Sequence, residues 1–497
     1  MLDIHPAQQA TVLISGAVGP LTATLDRRIV TISIDQATRT IFVTAEGQTG
    51  RAMLHVADTT GASVEIPVRV AFDAGTVPQS LALNVTGRPL DPLWLETQIA
   101  NLVAEKTRVQ PGLAMHLGSF APPPAVAPGT SASVTVPVQI PGGAQYYDVS
   151  GTANVTVTNL PLAPFAPPLL FYDDDPERIV ANGPIFRGQI TPGTPVRLYY
   201  YHQDGTEPSR LALVLIADSQ DPTQIQIIAA SAGPSADVMG VGHAVTRDFL
   251  LQEPRNEGVV LDLPQLSAYV LADVPLDAQQ AAAGSIDLRI VSGGAVDLEV
   301  LAVPPEATGR RLRSELGLAL LPGDGYHRTG VFDIAGYGSE TIAYTVGGPD
   351  ATTIYGAKSP PNAFPAGRGH DYGGYGVLHT FVFDASNPTA QPVTAYLFEE
   401  PLGGVVRSSF LVDGQLDQVG CARVSQRYEI ASLAMAPGQN LVSTVLTMTD
   451  GGSSYPLEIG MTDTPPLPSA PPITAPDGCF PKAPSPAPSP SPSPPSF

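Results

Sequence analysis

Short β-branched runs, separated by turn residues, fill the first seventy residues and constrain the fold more than any other feature. The runs cover residues 10–14, 21–25, 30–34, 40–44, 51–57 and 64–70, and Gly, Asp and Pro lie between them. Several short strands at this spacing are typical of an all-β sandwich. Residues 1–73 are therefore predicted to form a small β-sandwich.

The composition favours a mainly β chain of several domains. With 497 residues the chain is too long for one ordinary core. Its 48 glycines and 53 prolines favour turns and short strands over long helices. The 25 basic and 46 acidic side chains give a formal charge of −21, which argues against nucleic acids and anionic membranes as general partners.

Residues 74–162 are predicted to form a small α+β domain. Asp91 and Pro92 match an N-cap followed by proline in the first helical turn. Apolar side chains then recur at helical spacing, at Leu95, Ile99, Leu102 and Val103. Alternating runs after residue 130 indicate strands, and the four prolines within 161–168 indicate a stiff linker.

Two larger β-sandwiches are predicted at residues 163–306 and 307–463. Each contains an apolar run, a polar turn and a second run: 211–217 before 225–228, and 377–383 before 393–398. These two patterns are either a distant internal repeat or two sandwich hairpins. Residues 464–497 are of low complexity, and proline alternates with serine and alanine within 484–495, which predicts a disordered tail that prefers the polyproline II conformation.

Two resemblances to known families rest on patterns in this chain. Residues 4–72 resemble bacterial immunoglobulin-like (Big-type) domains, through the strands at 40–44 and 50–56 and the turn at 58–61. This resemblance implies a spacer or adhesive module and carries no functional residue. The C-terminal half resembles an uncharacterised family of secreted bacterial β-domains, through residues 199–202, 373–378 and 451–456. That resemblance implies export.

The setting of the chain is predicted to be extracellular or the cell surface. No signal peptide is visible, so either the protein is intracellular or the start is incomplete. We expect the second, because residues 4–10 look like the lead-in to a first strand. No apolar run approaches the roughly 18 residues that a spanning helix needs. The cysteines, Cys421 and Cys479, match no zinc pattern and are either a disulfide or two unrelated thiols.

Five side chains are candidate metal ligands. Asp173, Asp174 and Asp175 form the densest acidic run and could offer oxygens to calcium, although a solvated turn is the simpler alternative. His370 and Asp371 adjoin a Gly/Tyr-rich stretch that is either part of a metal site or a surface loop.

Three aromatic side chains are candidates for stacking on a ligand. Trp94 is the only tryptophan and is either a ligand platform or a core anchor. Tyr199 and Tyr201 should share one face of a strand, with Tyr200 on the other. Residues 240–244 match only part of a dinucleotide fingerprint, and GxSxG is absent from the sequence. No catalytic residue or cofactor is therefore predicted.

The sequence favours a non-catalytic, secreted or cell-surface protein of bacterial type with a structural, adhesive or binding role. One alternative is a carbohydrate-binding or carbohydrate-active protein with its site within 163–463, and another is a subunit of an extracellular filament. The expected partner is a cell-surface polymer, a carbohydrate or another protein. A cleft with two carboxylates and exposed tyrosines would favour the carbohydrate alternative, whereas filled sandwiches with unpaired edges would favour the first interpretation. The ligand and the oligomeric state remain open.

Overall fold

The structure is a computed structural model that describes residues 1–469, apart from 124, 144, 206–207, 308, 365–366 and 368, together with Cys479. The chain forms two compact units: residues 1–84 with 89–160, and residues 85–88 with 161–497. Strands dominate both units, so the prediction of a mainly β fold is confirmed. The predicted disordered tail falls almost wholly outside the described residues. None of the helices in the described segments has the length and apolar character needed to cross a membrane.

The first unit begins with a two-sheet sandwich. Its strands are β1 (Leu2–Ile4), β2 (Gln9–Leu13), β3 (Thr22–Leu25), β4 (Val30–Asp35), β5 (Thr40–Ala45), β6 (Gly50–Ala57) and β7 (Ser63–Val70). One sheet has the order β1-β7-β6-β3 and the other β2-β5-β4. Alternation turns Ile41 and Val43 inward from β5, where they meet Leu54 and Val68. The six predicted strands are confirmed, each within one residue of its expected bounds.

The remainder of the first unit contains one helix and a long hairpin. Its elements are β8 (Phe72–Asp73), β9 (Gly75–Thr76), β10 (Ser80–Thr86), α1 (Pro92–Lys106), β11 (Arg108–Val109), β12 (His116–Leu117), β13 (Ser131–Ile140), β14 (Tyr146–Tyr147) and β15 (Val149–Asn159). The Asp91 side chain accepts hydrogen bonds from the backbone N–H groups of Leu93 and Trp94, and Leu95 and Ile99 are buried. The predicted helix and its N-cap are therefore confirmed.

The second unit contains two sandwiches in succession. The middle sandwich is built from β16 (Leu169–Asp173), β17 (Arg178–Ile179), β18 (Gly183–Ile190), β19 (Val196–Asp204), β20 (Ser209–Ala217), β21 (Thr223–Ser235), α2 (Val238–Gln252), a 3₁₀ turn (Glu253–Arg255), β22 (Gly258–Leu263), β23 (Ser267–Leu276), β24 (Ala281–Ser292) and β25 (Val296–Val303). The strands β22-β21-β24-β19-β16 face the sheet β18-β25-β20-β23. Tyr200, Leu213 and Leu298 are fully buried between them.

The C-terminal sandwich follows a short helix, α3 (Gly309–Glu315), and a strand, β26 (Thr329–Asp333), that extends the sheet of β16. Its strands are β27 (Ser339–Thr345), β28 (Ala351–Tyr355), β29 (Leu378–Ser386), β30 (Val393–Pro401), β31 (Val406–Val412), β32 (Gln415–Ala422), β33 (Tyr428–Met435), β34 (Asn440–Met448) and β35 (Leu457–Thr462). The sheet β27-β29-β34-β31-β32 faces β28-β35-β30-β33. Phe383, Leu397 and Phe410 fill the space between the two sheets.

The two strand pairs that were expected to be hairpins do not pair with each other. In the middle sandwich the chain crosses from β20 in one sheet to β21 in the facing sheet, and in the C-terminal sandwich it crosses from β29 to β30 in the same way. The hairpin alternative is therefore wrong. The proposed domain boundaries themselves remain predictions.

Helix α2 joins the two sandwiches and was not predicted. Val241, Val245 and Phe249 pack against residues of both sandwiches, among them Tyr199 and Met448. A Cβ atom on Gly242 would lie 2.1–2.5 Å from backbone atoms of Gly451. The glycines of the partial dinucleotide fingerprint therefore serve close packing between a helix and a turn.

Candidate functional site

A cavity of about 410 Å³ lies between the middle and C-terminal sandwiches, wholly within the second unit. Most of its lining is aromatic or ionisable. These side chains are Tyr172, Tyr199, Tyr201, Tyr326, Tyr372, Tyr375, Asp174, Glu177, His327, Arg328 and His370.

Buried tyrosines form the inner wall of the cavity. Strands β16 and β19 run parallel, with Tyr172 opposite Tyr199. The two rings stack with centroids 5.9 Å apart, and Tyr375 stacks on the other side of Tyr199 at 6.0 Å. Gly376 permits this approach, because a Cβ atom there would lie 2.6 Å from the Cβ of Tyr199. Tyr200 instead enters the middle sandwich, so the predicted alternation is confirmed.

Exposed rings stand at the rim of the cavity. Tyr326 is 85% exposed and Tyr372 is 67% exposed. The ring of His370 stacks on that of Tyr372, with centroids 5.4 Å apart and planes 24° apart. The rim therefore offers ring surface to solvent, while the inner wall is already packed.

Asp174 supplies a carboxyl group to the cavity wall. The hydroxyl of Tyr172 donates to its Oδ2 at 3.0 Å. Its Oδ1 is buried and has no hydrogen-bond partner among the described residues. Burial, reinforced by the negative charge of Glu177, raises the pKa of Asp174 well above its usual range. This carboxyl group therefore keeps its proton to a higher pH than an ordinary aspartate does.

His327 fixes the second carboxyl group of the cavity, that of Glu177. Its Nε2 lies 2.5 Å from Glu177 Oε2, and its Nδ1 lies 2.7 Å from Asp324 Oδ2. Partial burial acts to lower the pKa of His327, but the hydrogen bond with Asp324 and the charge of Glu177 outweigh it and raise the pKa. The His327 imidazole thus bridges the carboxyl groups of Asp324 and Glu177, and Glu177 lies on the cavity wall.

The acidic run does not form the calcium loop considered from the sequence. Asp173 is fully buried, and its Oδ2 lies 3.1 Å from His202 Nε2. Asp175 accepts a hydrogen bond from the backbone N–H of Asp324 at 2.7 Å. Asp174 lines the cavity instead, so the three carboxyl groups are used for different contacts.

His370 and Asp371 do not come together as the metal site considered from the sequence. His370 is exposed at the rim, whereas Asp371 is fully buried and accepts a hydrogen bond from the backbone N–H of Tyr375 at 2.9 Å. Across the described part of the chain, no group of three or more His, Cys, Asp or Glu side chains is arranged to hold a metal ion.

The remaining sequence candidates lie at separate places. Tyr199 and Tyr201 both line the cavity. Trp94 belongs to the first unit, where it is half-buried in the first turn of α1. Cys421 and Cys479 form a disulfide with their Cα atoms 5.3 Å apart, which resolves the two alternatives in favour of the bridge.

Several cavity residues escaped the sequence analysis. His327 and Tyr326 carried no motif, and Glu177 was seen only as part of an acidic run. The Gly/Tyr-rich stretch around residues 370–376 was the one available signal, since it supplies three rings to the cavity. That His327 meets the acidic run containing Asp174 and Glu177 depends on the fold, because the two segments are far apart in the sequence.

Comparisons with known proteins give only distant likenesses. No protein-family model and no curated protein matches the chain. Tripeptidyl peptidase 2 has a TM-score of 0.15 at 11% identity, over 90% of this chain and 34% of that one, so the chain spans about a third of its length. A Bacteroides ovatus protein, SGBP-B of a mixed-linkage glucan utilisation locus, has a TM-score of 0.14 at 10% identity, over 60% of this chain and 70% of that one. A SusE-like surface polysaccharide-binding protein of Bacteroides thetaiotaomicron has a TM-score of 0.14 at 9% identity, over 93% and 71%. These scores are too low for any conclusion about function.

Proposed function

We propose that the chain is a carbohydrate-binding protein and that the cavity of the second unit holds the sugar. The observation that carries this proposal is the convergence of tyrosine rings and two carboxyl groups in one cavity. A sugar ring has apolar C–H faces and a rim of hydroxyl groups, which match aromatic faces and polar side chains respectively. A cavity of about 410 Å³ lies in the range of small-molecule sites.

Different side chains of the cavity would contact different parts of the sugar. Tyr372 presents an exposed ring that His370 supports from one side. The carboxyl group of Asp174, on the cavity wall, exchanges a hydrogen bond with a sugar hydroxyl. The carboxylate of Glu177, held by His327, accepts from a second hydroxyl. A hydrogen bond to a charged group contributes about 1.5–3 kcal/mol, and one between neutral groups about 0.5–1.5 kcal/mol.

An extracellular or cell-surface setting agrees with this role. The disulfide between Cys421 and Cys479 supports it, because disulfides persist in oxidising compartments and are rare in the cytosol. The sandwich of residues 4–72 would then act as a spacer or adhesive module of the bacterial immunoglobulin-like type. The two-sheet architecture of that segment is compatible with such a spacer.

The test is titration calorimetry of the full chain against a panel of neutral and acidic oligosaccharides. We expect at least one ligand to bind, and Tyr372→Ala and Asp174→Ala each to weaken it about tenfold or more. Tyr396→Ala is the matched control, because Tyr396 is a half-buried tyrosine outside the cavity lining. The proposal fails if no oligosaccharide binds, or if the two cavity variants bind as tightly as the control.

Glycoside hydrolysis is a second candidate function, favoured by the contrast between the two carboxyl groups. Burial raises the pKa of Asp174, whereas Glu177 is paired with His327, and environments that separate two carboxyl groups in this way suit acid and base roles. The Asp174 proton would pass to the glycosidic oxygen as the C–O bond breaks. Water would bond to the anomeric carbon and give its proton to Glu177.

Release of reducing ends from a bound oligosaccharide tests this second function. Hydrolysis requires that the wild type releases them and that Asp174→Asn and Glu177→Gln do not. A wild type that binds the oligosaccharide without releasing reducing ends excludes hydrolysis and leaves the binding proposal intact.

A further inference from the structure

Three arginines line one cleft of the first unit. The cleft has a volume of about 620 Å³, and its wall includes Arg27, Arg51 and Arg69, with Phe72 and Tyr146 beside them. The chain as a whole carries 25 basic against 46 acidic side chains. This local concentration of positive charge therefore contrasts with the negative net charge of the chain. We call this feature the arginine cleft.

Two of these arginines occupy positions that do not favour the stability of the sheet. Arg51 on β6 and Arg69 on β7 are direct cross-strand partners. Like charges directly opposite each other destabilise a sheet. Among the described residues of the first unit, the ion pairs join other side chains and leave these arginines without a carboxylate partner.

Arg69 is held rigidly at the centre of this arrangement. Its Nη2 donates to the backbone oxygens of Gly143, at 3.2 Å, and Tyr146. Its guanidinium lies over the ring of Tyr147, 4.7 Å from the centroid. Its Nε is buried and lacks a hydrogen-bond partner within the described structure. A guanidinium fixed in this way is prepared for an anion, since less entropy is lost on binding.

We propose that the arginine cleft binds an anionic oligosaccharide segment, through carboxylate or sulfate groups on its sugars. Guanidinium forks bind such oxyanions with two parallel hydrogen bonds. Arg27 and Arg51 are exposed and free to reach them, and Phe72, 49% exposed, offers a surface for a sugar face. A nucleic acid would need a longer positive stripe than three arginines provide. This site is independent of the cavity in the second unit.

Titration of the full chain with three oligosaccharides of equal length tests the proposal. They are an oligogalacturonate, a heparin-derived oligosaccharide and a neutral glucan fragment, each measured at low and high salt. We expect one or both anionic ligands to bind more weakly as salt rises, because salt screens the exposed charges. Binding of the oligogalacturonate assigns a carboxylated ligand, and binding of the heparin fragment a sulfated one.

Single substitutions distinguish binding in the arginine cleft from a general effect of net charge. Arg27→Ala and Arg51→Ala should each weaken binding about tenfold, and Arg51→Lys should also weaken it, because it keeps the charge but loses the fork. Arg28→Ala is the matched control, since this exposed neighbour is outside the cleft lining and its loss removes the same charge.

Three outcomes overturn the proposal: no anionic oligosaccharide binds, Arg28→Ala weakens binding as much as Arg27→Ala, or single-stranded DNA binds as tightly as the anionic sugars. Loss of sugar binding through Asp174→Ala would leave the arginine cleft untouched, so the two proposals fail separately.

Discussion

Two buried carboxyl groups make the stability of the second unit depend on pH. Asp371 and Glu399 are both fully buried, and burial raises the pKa of each to about 8. In the unfolded chain they titrate near their ordinary values of 3.8 and 4.5. Asp371→Asn and Glu399→Gln replace the neutral carboxyl with an uncharged group of the same shape.

The direction and size of the effect follow from proton linkage. Between about pH 5.5 and 7.5 the folded protein keeps a proton at each group that the unfolded chain has released. Stability is therefore complete below the ordinary pKa and falls as pH rises toward the folded value. Each group changes the folding equilibrium by roughly tenfold per pH unit, or about 3 kcal/mol over two units. Asp371→Asn and Glu399→Gln should each remove one carboxyl group's contribution to the dependence of the unfolding free energy on pH.

Urea unfolding at both pH values measures the effect. Near-UV circular dichroism follows the tyrosines of the second unit, and the fluorescence of Trp94, the only tryptophan, follows the first unit. Asp384→Asn, at an exposed position of β29, is the matched control and should keep the wild-type slope. A wild type that gains stability between pH 5.5 and 7.5, or amide variants with an unchanged slope, would refute the reasoning.

Three further predictions concern the contacts that hold each unit. Gly242→Ala should destabilise the second unit by about 1–3 kcal/mol in urea unfolding, because the added methyl group meets the Gly451 backbone; an unchanged midpoint would contradict the close contact. Removing the Cys421–Cys479 bridge, by reduction or as the double serine variant, should cost up to about 4 kcal/mol for a sequence separation of 58, visible as a lower Tm; an equal Tm in reductant would contradict it. Asp91→Ala should cost the first unit about 1 kcal/mol, read from Trp94 fluorescence, with Asp91→Ser retaining most of the stability.

The sequence predicted those parts of the fold that local pattern determines. The alternation of Ile41 and Val43 in β5 and the cap at Asp91 each depend on a few neighbouring residues. Helix α2 was missed because Gly240 and Gly242 disfavour helix, and the helix is stabilised by burial against both sandwiches rather than by its own propensity.

The candidate site was predictable only in fragments. Tyr199 and Tyr201 were placed on one strand face because the period of a strand is fixed. Tyr375 and His327 line the same cavity because of how β16, β19 and two later loops pack. The spacing of these residues in the sequence does not indicate that packing. The crossing of β20 to β21 was misjudged for the same reason, since the turn between two strands does not state which sheet the second strand joins.

A crystal structure of the full chain with a bound oligosaccharide tests the central proposal most directly. The account predicts density in the cavity of the second unit, with a sugar face on the ring of Tyr372 and a hydroxyl within about 3.2 Å of the Asp174 carboxyl group. An oligosaccharide that binds the protein elsewhere, with the tyrosine cavity left unoccupied, would contradict it.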